Sequence, residues 1–96
     1  MAAWLLAQVE VSDMQQYRRY TARTPDIIAQ YGGRFRVRGG EVVTLEGAAP
    51  AGRIVLIEFP SLEAVQEFYH SAEYQEVKEL RLPASEASFL ALAGVD

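Results

Sequence analysis

The stretch YGGRFRVRGGE, Tyr31–Glu41, sets two glycine pairs around five residues, three of them arginine. Glycine enters the left-handed backbone region without strain, so Gly32-Gly33 suits the end of a helix and Gly39-Gly40 suits a turn or a bulge. Between the pairs, Arg34-Phe35-Arg36-Val37-Arg38 alternates with a period of two, the pattern of a strand with one apolar and one polar face. Strict alternation predicts Phe35 and Val37 against a core. It puts Arg34, Arg36 and Arg38 together on the opposite face, with same-face neighbours about 6.8 Å apart.

Working upstream, Met14, Tyr17, Tyr20 or Thr21, Thr24, Ile27 or Ile28 and Tyr31 recur at spacings of three and four, the stripe of an amphipathic helix. Ser12 or Asp13 can cap its start. Pro25 lacks an N–H and disfavours helical geometry at Thr24, so the helix is expected to break there and restart with Thr24 as its cap. Before it, Ala3–Val11 is an apolar run that reads as a buried strand.

Working downstream, Glu41–Gly47 reads as a continuation of the arginine strand or a hairpin return, and Ala48–Gly52 as a loop. Arg53–Phe59 is a second buried strand. Ser61 caps a helix with Val65, Phe68 and Tyr69 on its apolar stripe. Ser71 caps a further short helix carrying Tyr74, Val77 and Leu80 or Arg81, and Pro83 stops it. Ala87–Gly94 reads as the last strand. The order strand, helix, strand, strand, helix, strand predicts an α+β sandwich, one antiparallel sheet with the helices on one face. The other sheet face has no cover within the chain and must tolerate water or meet a partner.

The 96 residues correspond to one domain, residues 1–96. A chain this short buries a modest share of its surface and gains from association. Its composition is ordinary for a globular protein, with half of its residues apolar and 23% charged. The charge, 9 − 13 = −4, argues against nucleic acid as a partner. With no cysteine there is neither a disulfide nor a thiolate nucleophile, and one histidine gives little basis for a metal site. The apolar run Ala2–Ala7 is too short to span a membrane or to form a signal segment. The expectation is a soluble, cytoplasmic protein with no nucleic-acid or membrane partner. No phosphate-loop, dinucleotide-binding or nucleophile-elbow motif occurs, and no cofactor is expected.

Three stretches, YRRYTARTPDIIAQYGGRFRVRGG, LEG and IEFPSLEAVQEFYHSAEYQEVKELR, together resemble the bacterial "domain of unknown function 1330" family. The likeness runs from about Trp4 to Gly94. It implies a ferredoxin-like fold (β-α-β-β-α-β) of the dimeric α/β-barrel type, in which two sheets pack face to face as a homodimer. Arg34 and Arg38 match the family pattern, whereas Arg36 stands where the family often has an apolar residue. His70 and Ala72 depart from it, standing where an acidic residue and a proline are frequent. The resemblance implies no activity.

The candidate site residues are of three kinds. Arg38 and Arg34 are ligand-binding candidates because guanidinium forks grip carboxylates and phosphates in two-pronged fashion. Arg38 also lies beside a flexible glycine pair. Glu58, late in an apolar strand, is either paired with an arginine or, desolvated, a candidate catalytic base. Tyr17, Tyr69 and Trp4 are candidate walls of a pocket for a small aromatic or acyl ligand. His70, the lone histidine, is expected on the surface near a helix end. Two functional classes are open. One is a dimer that binds a small anionic or aromatic metabolite, with room for cofactor-free acid–base catalysis. The other is a non-catalytic ligand-binding or stress-related accessory dimer whose Arg/Glu cluster is structural.

Overall fold

The computed structural model describes residues 2–95. Strand β1, Ala3–Val11, buries Ala3, Leu5, Ala7 and Val9 and turns Trp4, Leu6, Gln8 and Glu10 the other way. Helix α1 follows at Met14–Gln30, capped by the Asp13 carboxylate, which accepts from Gln16 N at 3.1 Å. The helix does not break at Pro25; that residue lies inside a continuous run of 17 residues, and Thr24 is buried rather than a cap. The missing N–H and the ring's clash with the preceding turn together carry a cost of about 3 kcal/mol. The unbroken inward stripe Tyr17, Tyr20, Thr24, Ile27 and Ile28 offsets it, since each large apolar side chain contributes roughly 1.5–3 kcal/mol on burial.

Gly32 ends the helix with φ +80°, and Gly33 fits where a Cβ would press on Ile28 and Phe59. Strand β2, Arg34–Arg38, and strand β3, Arg53–Phe59, then pair antiparallel. Residues 40–52 form no strand, so Glu41–Gly47 is neither a continuation nor a return. The Gly39 N–H donates to Ile54 O at 2.9 Å, and beyond it the chain leaves the ladder with Val42, Val43 and Leu45 exposed. Helix α2, Leu62–His70, and helix α3, Ala72–Arg81, are capped by Ser61 and Ser71, each hydroxyl accepting a backbone N–H at 3.1 Å. A short 3₁₀ turn at Leu82–Ala84 contains Pro83, and strand β4 runs over Ser85–Ala93.

The sheet is antiparallel and open, with strand order β2-β3-β1-β4. This is the expected α+β ferredoxin-like arrangement. The helices cover one face, where Leu5, Val9, Ile57, Phe59, Phe68 and Val77 form the core. The opposite face carries half-buried Trp4, Leu6, Ile54 and Leu56, and its Leu90 and Leu92 are 54% and 40% exposed. No helix among the described residues is long and apolar enough to cross a membrane.

Candidate functional site

The pairing of β2 with β3 decides where the arginines go. Arg34 stands opposite Glu58 and Phe35 opposite Ile57, but Val37 stands opposite Leu56 and Arg38 opposite Val55. The register slips between Phe35 and Val37, so Arg36 is the extra residue of a β-bulge. After the slip, parity reverses. Arg38 joins Phe35, Val55 and Ile57 on the helix-covered face, and Val37 turns to the open one. The expectation that all three arginines share the open face holds for Arg34 and Arg36 and fails for Arg38.

On the helix side, the Arg38 guanidinium lies 4.4 Å from the centre of the Phe35 ring. Arg53, first in β3, shares the parity of Val55 and Ile57 and points the same way. Its guanidinium packs against Gly39, where a Cβ would come within 2.5 Å of it and φ is +72°. Glycine at that position therefore sets where Arg53 lies. The Arg53 Nη2 donates to Arg38 O at 3.5 Å, its guanidinium sits 5.6 Å from the Tyr17 ring centre, and its buried Nε has no hydrogen-bond partner. Between α1 and the sheet these groups border a cavity of about 40 Å³, whose walls include Leu5, Tyr17, Thr24 and Phe68.

Arg81, in the last turn of α3, is buried on the same side of the sheet. Among the described residues only two ion pairs form, Arg23–Glu76 and Arg36–Glu58, so Arg38, Arg53 and Arg81 have no carboxylate partner there. Burial pushes the Tyr17 phenol above its ordinary value of 10.0, while the charges of Arg53, Arg81 and Arg38 pull it back. At neutral pH Tyr17 is thus a protonated hydroxyl, a hydrogen-bond donor, near guanidinium groups. Deeper in, the Tyr20 and Tyr74 hydroxyls share a hydrogen bond of 2.7 Å, and burial pushes both phenols up.

The remaining expected site residues lie elsewhere. Glu58 accepts from Arg36 Nε at 2.9 Å, with 30% of its side chain exposed. Arg34 and Trp4 flank Glu58 in register, one on each neighbouring strand, so this trio lies on the open face. Trp4 therefore does not share a pocket with Tyr17. Tyr69 lies between helices and sheet but borders a different cleft, with His70, Arg81 and Phe89. His70 is exposed in the last turn of α2.

The residues that sequence reasoning missed are Arg53 and Arg81. Each carried a signal: Arg53 has the parity of the inward Val55, Ile57 and Phe59, and Arg81 continues the spacing of Tyr74 and Val77. Among the described residues, no three His, Asp or Glu side chains gather as metal ligands would.

Among solved structures, the protein of unknown function RPA0582 from Rhodopseudomonas palustris superimposes with a TM-score of 0.77 at 17% identity, over 99% of this chain and 83% of that one. A dimeric ferredoxin-like protein of unknown function from a Jannaschia species gives 0.72 at 10% identity, over 98% and 100%. SnoaB, a cofactor-independent oxygenase from Streptomyces nogalater, gives 0.66 at 13% identity, over 99% and 94%. At these identities the likeness is one of fold. No curated protein matches the chain. A family model described as "Domain of unknown function (DUF1330)" matches residues 2–95, and the chain belongs to that family.

Proposed function

We propose that this protein is a homodimer, each subunit one ferredoxin-like domain of residues 1–96, that binds a small organic anion between α1 and the sheet. The observation that carries this reading is the buried, unpartnered Arg53 Nε beside Arg38 and Tyr17, with no carboxylate among the described residues to balance them. A buried N–H donor without a partner is unfavourable, and an anionic ligand supplies one. The apolar wall of Leu5, Phe68 and the Tyr17 ring suits the body of such a ligand. The cavity of about 40 Å³ holds only water, so binding requires α1 to shift outward or the Arg38 side chain to swing aside.

The open sheet face is the proposed dimer surface. Trp4, Leu6, Leu56, Leu90 and Leu92 leave a broad apolar area there, and a monomer rarely exposes one of that kind. In this reading Arg36 and Glu58 serve the interface, Arg34 lies at its rim, and Glu58 is held by Arg36 instead of acting as a base. Any chemistry then falls to Tyr17 as a proton donor, without a cofactor. SnoaB, similar in fold, is a cofactor-independent oxygenase. A second, non-catalytic reading is favoured by the small size of the cavity: the cluster would then bind its anion, or only brace α1 to the sheet, with no turnover. The protein is read as cytoplasmic, and its net charge of −4 argues against nucleic acid and anionic membrane as partners.

Native mass spectrometry of gently purified protein tests the reading. The expected result is a dimer with a reproducible extra mass per subunit, lost in Arg53→Gln. A bare monomer, or an adduct that Arg53→Gln and Arg38→Ala both retain, would sink it.

A further inference from the structure

The cleft bounded by α2, α3 and β4 adjoins the Tyr17 pocket, sharing Leu5 and Phe89 with it, but has room of its own, about 420 Å³. Its walls are mostly apolar, with Leu5, Val65, Phe89 and Ala91, and polar groups enter only from Gln66, Tyr69, His70 and Arg81. Arg81 sets its chemistry. The residue is only 5% exposed, and its Nε has no hydrogen-bond partner. The guanidinium carbon lies 4.4 Å from the Phe89 ring centre and 5.7 Å from that of Tyr20. Aromatic faces attract the flat faces of a guanidinium. They do not satisfy its N–H groups, which point outward in the plane. The in-plane edge is what a carboxylate grips with two parallel hydrogen bonds.

We infer that this cleft is a second ligand site, which takes a carboxylate carried on an apolar, ring-sized body, with the carboxylate on Arg81. The body lies against Phe89 and Tyr69, whose ring centres are 6.0 Å apart. Gln66 and His70 stand on exposed parts of α2 at the rim, where they meet any further polar substituent. A phosphate on its own fits less well, because the walls offer it too few donors. The inference does not depend on the Tyr17 pocket.

The test is an NMR titration of the intact protein with benzoate, against benzamide as the neutral isostere and inorganic phosphate as the bare anion. Benzoate is expected to shift the Arg81 Nε–H and the amides of Gln66 and Tyr69 saturably. Benzamide and phosphate are expected to bind at least tenfold more weakly. Arg81→Gln is expected to abolish binding but removes a buried group and can unfold the protein. Ala87→Trp serves beside it: Ala87 is an exposed strand residue at the cleft, and an indole there fills the space. Ala87→Trp is expected to abolish the shifts. Absence of saturable shifts, equal binding of benzamide or of phosphate, or unchanged binding in folded Ala87→Trp would each overturn the assignment. Shifts confined to Tyr17, Arg38 and Arg53 would overturn it too, while supporting the other pocket.

Discussion

The Arg38 guanidinium stacks on the ring of Phe35 at 4.4 Å, although the two residues are three positions apart on one strand. In a regular strand that spacing puts side chains on opposite faces. They meet because the chain bulges at Arg36, which leaves Arg36 on the open face with Glu58 and returns Arg38 to the helix side. One extra residue thus divides the arginines between the two faces of the sheet.

That division predicts different outcomes for neighbouring substitutions. Arg38→Ala removes a half-exposed cation–π contact, worth about 0.5–1 kcal/mol. For a domain of this size the melting temperature should fall by only a few degrees, and the extra mass expected in native spectra of the parent protein should be absent. Arg36→Ala breaks a partly exposed ion pair worth about 1 kcal/mol or less. It should keep the extra mass and loosen the dimer. Thermal melts and native mass spectra of both variants check this, and a loss of ligand in Arg36→Ala with none in Arg38→Ala would refute the assignment of faces.

The element order was legible because its signals are local. Asp13, Ser61 and Ser71 cap the helices as their side chains suggest, and the inward stripes of β1 and β3 follow their alternation. The faces of β2 were not legible, because alternation cannot show a slip that depends on how β3 pairs. The partners Arg53 and Tyr17 come from separate elements, and nothing along the chain states that Gly39 leaves room for the Arg53 guanidinium. Trp4 was placed with the tyrosines because aromatics suit a pocket wall, yet its parity within β1 already set it opposite Leu5.

The Tyr20 and Tyr74 hydroxyls tie α1 to α3 through one buried hydrogen bond. Removing either hydroxyl leaves the other unpaired, which costs about 1–3 kcal/mol. Removing both leaves no orphan. The double variant Tyr20→Phe/Tyr74→Phe should therefore lose clearly less stability than the sum of the two single changes. Urea denaturation of the three variants measures this, and additive losses would show that the bond contributes no coupling.

Alkaline pH should unfold the protein more steeply than its charge alone suggests. Burial raises the Tyr17, Tyr20 and Tyr74 phenols above the ordinary 10.0, so the folded chain keeps protons that the unfolded chain releases. Their contribution is fully present below pH 10 and is lost as pH rises through the folded values. Each phenol removes at most about 1.4 kcal/mol per pH unit in that range. Tyrosinate absorbance and circular dichroism, followed together from pH 9 upward, should show part of the phenol titration coinciding with loss of helix. Completion of the phenol titration while the helical signal stays native would contradict it.

Pro25 gives the last prediction, because its sign separates two local structures. If α1 broke at Thr24, Pro25 would stand at a first helical position, where its fixed φ is favourable, and Pro25→Ala would destabilise. In the continuous helix the ring removes the N–H that would otherwise donate to Thr21 O and crowds the preceding turn. Alanine restores the bond and relieves the crowding, a gain of up to about 3 kcal/mol. Proline's restriction of the unfolded chain offsets roughly 0.4–1 kcal/mol of that. Pro25→Ala should therefore raise the melting temperature by several degrees and leave the circular-dichroism helix content equal or higher. A lower melting temperature would mean that the helix is interrupted at Thr24. The inward positions of Thr24 and Ile28, which shape the wall of the Tyr17 pocket, would then need a different explanation.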